Sequence, residues 1–79
     1  MYRDMPQNQQ LAFRALMIEV ATQASVRKNA TNGAVIADRI WHKYRDREVS
    51  DWTTRMIISD LVSDGQRMLP PLDGRAARA

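Results

Sequence analysis

The chain of 79 residues has one imidazole, His42, and no cysteine. Asp38 lies one helical turn before His42 and forms with it the acid–imidazole pair of the chain. Catalysis needs further polar groups converging in a pocket, and there is no thiol nucleophile, no glycine-rich phosphate loop and no metal-ligand set. The expectation is a protein that is not an enzyme and takes no metal and no cofactor. What remains is recognition chemistry. Arg39, Lys43, Arg45 and Arg47 lead into a run containing Ser50, Trp52, Thr53, Arg55, Met56 and Ser59. Cations of the first group suit phosphates, which they hold without reading sequence. In the second group, the Arg55 guanidinium can grip a guanine edge through two hydrogen bonds, Thr53 and Ser59 can donate to a base or phosphate, and Trp52 or Met56 can pack on a thymine methyl. Ser50 would use its amide or hydroxyl on the backbone. The competing reading of the basic stretch is a solvated helix face neutralised by Asp38, Asp46 and Glu48.

The whole chain must support this chemistry with little material. Its length corresponds to one small domain, and with no cysteine it must hold by apolar packing. Twelve Lys and Arg against nine Asp and Glu leave a net charge of +3, and 44% of the residues are hydrophobic. The most apolar stretch, 11–21, is interrupted by Arg14 and Glu19 and falls short of the roughly 20 residues that a bilayer span requires. The N-terminal residues lack the order of a signal peptide. A cytoplasmic protein is expected, or one in a host cell's cytoplasm if phage-encoded, with no membrane partner.

Three helical segments position these residues. The first is expected over 7–27, with a core stripe of Met5, Ala12, Leu16 and Val20 widened by Phe13, Met17 and Ala24. Leu11 and Ile18 point to its other side, so they either fill the protomer's own core or, with Arg14, contact a second copy. Residues 34–44 form the second helix, after a polar run ending in Gly33 and with Thr31 or Asn32 as N-cap; Ile36, Ala37, Ile40, Trp41 and Tyr44 face inward. Over 50–64 the third helix starts at Ser50 as N-cap and ends at Gly65 in the usual post-helix position. Its apolar stripe is Thr54, Ile57, Ile58, Leu61 and Val62, with Trp52, Arg55, Met56, Ser59 and Ser63 opposite.

The run Val49, Ser50, Asp51, Trp52, Thr53, Thr54, Arg55, continued by Ile58, Leu61 and Gly65, resembles the recognition helix of winged helix-turn-helix DNA-binding domains, and Ile36-Ala37 with Ile40 resembles its scaffold helix. The resemblance covers 31–65. Thr54 stands where an aliphatic residue is usual, and Ile40 and Val49 are nine positions apart where about two is common, which lengthens the scaffold helix or its turn. The resemblance implies a mainly α fold, a three-helix helix-turn-helix core of winged-helix type over 1–69, and a reduced or absent β-wing, since Pro70 and Pro71 would break a strand placed after the third helix. A basic tail, 70–79, completes the chain; Arg67, Arg75 and Arg78 could reach a neighbouring phosphate.

These residues support two functions. The first is sequence-specific binding of double-stranded DNA by a small transcriptional regulator of phage or mobile-element type, with the third helix in the major groove and a homodimer on a two-fold site. The alternative is a winged-helix-like module, a phage-encoded inhibitor or adaptor, that binds a host protein through Trp52 and Met56. Exposed tryptophan and methionine are residue types that anchor protein interfaces.

Overall fold

A computed structural model describes residues 1–67. The chain forms a short 3-10 turn, Tyr2–Asp4, and then α1 (Gln7–Ala24), α2 (Ala30–Tyr44) and α3 (Asp51–Arg67). The described residues are thus mainly helical, with no strand among them. The expected wing and the tail residues Arg75 and Arg78 lie outside the described residues, while Arg67 closes α3 and binds Asp64 at 3.0 Å.

Local chemistry sets the helix ends. After Pro6, whose carbonyl accepts from the Gln9 and Gln10 amides at 2.9 Å, α1 starts. It stops at Ala24 rather than 27, because Ser25 turns extended and its hydroxyl donates to the Ala21 carbonyl at 2.6 Å. At the start of α2 the cap is Asn29, whose side chain accepts from the Thr31 and Asn32 amides. This helix therefore begins four residues before the expected Ala34, and Gly33 lies inside it. Ser50 caps α3 as expected, its Oγ accepting from the Thr53 amide at 3.1 Å, and Asp51 places a carboxylate at the positive helix end. Gly65 does not end α3, which continues to Arg67.

Both glycines are contact points between helices rather than breaks. A Cβ on Gly33 would collide with Thr22 Oγ1 and lie 2.9 Å from the Ile18 carbonyl, so α1 and α2 meet at backbone distance. One on Gly65 would lie 3.1 Å from both the Ala21 carbonyl and the Ala24 Cβ, which brings α3 equally close to the end of α1. At the opposite end the Tyr2 hydroxyl lies 2.9 Å from Thr54 Oγ1. So α1 and α3 run parallel, starts together and ends together, with α2 antiparallel to both.

The core between them consists of Tyr2, Met17, Ala21, Ile36, Ala37, Ile40, Trp41, Tyr44, Ile57 and Leu61. Every expected α2 position is buried. On α1 the inward line is Phe13, Met17, Ala21 and Ala24, while Leu16, expected inside, is 63% exposed. On α3 it is Thr53, Ile57, Leu61 and Gly65, while Ile58 is 46% exposed. The N-terminal turn straps this core: Tyr2 stacks on Phe13 at 5.3 Å, the Arg3 amide donates to the Arg45 carbonyl at 3.0 Å, and Arg3 Nε binds Asp46 at 3.0 Å.

Candidate functional site

The first turn of α3 and the connection before it carry most of the residues expected to act. Trp52 is 68% exposed, and Arg55 and Ser59 come after it on the same outward stripe, continued by Ser63 and Gln66. Thr53 departs from expectation. It is buried, and its hydroxyl lies 2.8 Å from Ser50 Oγ, so it belongs to the helix cap and does not reach outward. Met56 also turns in, half-buried against the core. Beside Trp52 a cleft of about 360 Å³ is lined by Tyr44, Arg47, Glu48, Ser50 and Met56.

Most of the expected phosphate-holding cations have partners inside the molecule. Arg39 approaches Asp64 at 3.5 Å, and Lys43 binds Asp60 at 2.9 Å. The first pair lies farther along α3 and less far along α2 than the second, so these helices lie alongside each other across both contacts. Arg45 is half-buried and 4.0 Å from Asp46. Arg47 lies over the Tyr44 ring at 6.0 Å. Sequence reasoning assigned the neutralisation to Asp38, Asp46 and Glu48 and missed Asp60 and Asp64, whose role depends on how α3 registers against α2. Among the described residues, Arg55 has no hydrogen-bond or ion-pair partner.

Compared with family models, curated proteins and solved structures, the chain matches none.

Two of the three residues expected at a dimer contact are engaged within the protomer. Arg14 binds Asp38 at 2.9 Å and lies 5.7 Å over the Trp41 ring, and Ile18 packs on the core. Leu11 alone is open, at 61% exposure. Asp38 and His42 do form a pair: the imidazole Nδ1 donates to the Asp38 carbonyl at 2.8 Å, while the carboxylate serves Arg14. That arrangement ties a surface turn together. No helix among the described residues is long and apolar enough to cross a membrane.

The Lys43–Asp60 pair is part of a triad with Tyr44, whose hydroxyl donates to Asp60 at 2.6 Å. Partial burial raises the Asp60 pKa, but hydrogen bonds from Tyr44 and Lys43 and the ammonium charge outweigh it and leave the carboxyl below its ordinary value. Burial first, then the Asp60 contact, raises Tyr44, and the Asp60 contact raises Lys43. A depressed carboxyl contributes stability that is present above its unfolded value of 3.8 and disappears as pH falls through the folded value. For the raised tyrosine and lysine, the contribution is present below 10.0 and 10.5 and disappears as pH rises through the folded values. Urea denaturation across pH is therefore expected to show a plateau bounded by an acid and an alkaline decline. Tyr44→Phe should lower the plateau by about 1 kcal/mol and shrink both declines; an unchanged profile would mean that the triad contributes nothing to stability.

Proposed function

We propose that the protein is an interaction module, an adaptor or inhibitor, that docks a protein partner through Trp52 at the start of α3. The observation that carries this reading is the exposure of that one ring. Tyr2, Trp41 and Tyr44 are buried and Phe13 is half-buried, whereas Trp52 stands 68% in solvent. A large apolar ring on a short, capped helix loses little conformational entropy on docking, which suits an anchor inserted into a partner's pocket. Arg47 and Arg55 flank it in sequence. Glu48 lines the cleft and Asp51 directly precedes the ring, so the fitting partner presents an apolar pocket with a rim of mixed charge, and Met56 lines the adjacent cleft as a secondary contact.

A specific observation supports DNA binding as a second reading. Arg55 is exposed and unpartnered among the described residues, on an outward α3 stripe of Trp52, Ser59, Ser63 and Gln66 without a carboxylate. Such a stripe suits a major groove. Against it stand Asp60 and Asp64, which neutralise Arg39 and Lys43 on the flank of the same helix.

Salt and one substitution separate the readings. Bait immobilised through the chain captures a partner from nuclease-treated lysate; the partner is then purified and titrated calorimetrically. Trp52→Ala is expected to weaken that complex by about 30-fold or more, equivalent to about 2 kcal/mol, with little dependence on salt. Duplex DNA should bind weakly, with affinity falling steeply from low to moderate salt. A stoichiometric complex that survives Trp52→Ala, or tight binding of one duplex sequence in preference to others that Arg55→Ala abolishes, overturns the proposal.

A further inference from the structure

On the side of the bundle away from α2, α1 and α3 leave an apolar groove of about 210 Å³, lined by Phe13, Leu16 and Val20 from α1 and Thr54, Ile58 and Leu61 from α3. Leu16 and Ile58 rise from its walls, 63% and 46% exposed. With Met17 and Ile57, which also line it, the residues fall at i, i+3, i+4 and i+7 on each helix. This is the spacing with which a helix meets another nearly parallel helix, knobs into holes. No described element covers the groove.

Charge at its margins indicates what does. Glu19 follows Leu16 by one helical turn, and Arg55 precedes Ile58 by one, so an acidic group stands at the α1 shoulder and a basic one, with Asp51 a turn before it, at the α3 shoulder. Neither Glu19 nor Arg55 has a partner among the described residues. A uniformly acidic or basic occupant would satisfy one of these two groups and repel the other. A second copy satisfies both. We infer that this groove is a homodimer interface with its two-fold axis along the helices, so that α1 of each protomer lies parallel to α3 of its partner. Leu16 of one protomer then packs beside Ile58 of the other, and Glu19 and Arg55 fall on the same outer side. Matching the lining residues level by level sets Arg55 about five positions before Glu19 along the axis, roughly 7 Å at the helical rise, within reach of two extended side chains. Two equivalent ion pairs result, at positions of the kind that select partners in coiled coils. The interface differs from the α1 surface around Leu11, and it shares only Arg55 with the Trp52 reading.

Sedimentation equilibrium of the full chain tests this without partner or nucleic acid. A dimer is expected at micromolar concentration. Leu16→Glu should raise the dissociation constant by at least 100-fold while circular dichroism shows the helical content unchanged, since Leu16 stands in solvent in the protomer. Glu19→Arg and Arg55→Glu should each raise it about 10-fold, and the double variant should recover to within about 3-fold of the original. A chain that is monomeric throughout, a dimer indifferent to Leu16→Glu, or a double variant no better than either single one overturns the assignment.

Discussion

Ile36→Ala is expected to destabilise the fold by about 3 kcal/mol. Ile36 is 0% exposed and lies on the α2 face that meets both other helices. Truncation removes three buried carbons and leaves a space that the neighbours can fill only in part. Their freedom to move in is small, because Gly33, one turn earlier, already holds α1 and α2 at backbone distance. For a chain of this length total stability is on the order of 4–12 kcal/mol, so the variant should be close to unfolding at physiological temperature. Urea denaturation checks this, with the midpoint falling sharply at unchanged slope. A loss below about 1 kcal/mol would mean that the helices close over the gap and that α2 is not the centre of packing.

Gly33→Ala should destabilise by about 2 kcal/mol, although alanine is the better helix former by close to 1 kcal/mol. The new Cβ meets two obstacles of different kinds. Thr22 Oγ1 belongs to a side chain and can be removed, whereas the Ile18 carbonyl at 2.9 Å is backbone and can retreat only if α1 moves. Thr22 Oγ1 is also buried without a hydrogen-bond partner among the described residues. Thr22→Ala alone is therefore expected to be neutral or slightly stabilising, since it removes an unsatisfied oxygen. Combined with Gly33→Ala it should recover about half of the loss, a non-additivity that thermal denaturation of the four chains measures. Full additivity would show that the side chain is no part of the obstruction.

These two residues also show what the sequence could reveal and what it could not. Ile36 was legible: Ile36, Ala37, Ile40, Trp41 and Tyr44 share one face of a helix, and every one is buried. Gly33 was legible only as a break, because local rules connect glycine to turns, and nothing local announces that another helix passes within contact of its Cα. The same holds for Gly65. On α1, apolar residues occupy so many phases that periodicity could not choose between Leu16 and Ala21; the choice was made by where α2 and α3 lie. Ser50 was legible as a cap because capping is local. That the cap draws Thr53 inward was not, since Thr53 and Thr54 differ only in the direction each takes once the helix is packed. Trp52 is conspicuous in sequence and structure alike. The pairing of Asp60 and Asp64 with Lys43 and Arg39 depends on inter-helix register, and no pattern within one segment records it.

The parallel course of α1 and α3 governs the order of assembly. Short connections join antiparallel neighbours, so α1 and α2, linked by residues 25–29, and α2 and α3, linked by residues 45–50, each form a hairpin from local contacts. By contrast, the Tyr2–Thr54 contact joins residues 52 positions apart, and its closure entropy is recovered only when α1 and α3 meet. The route of lowest entropic cost has the remaining outer helix condensing on a preformed hairpin, with the tyrosine strap closing last. Opening takes the same path in reverse, beginning where the strap meets the first turn of α3. The Tyr2–Thr54 contact is then the part of the core most readily loosened, and it lies on the α1 side of α3, away from Trp52.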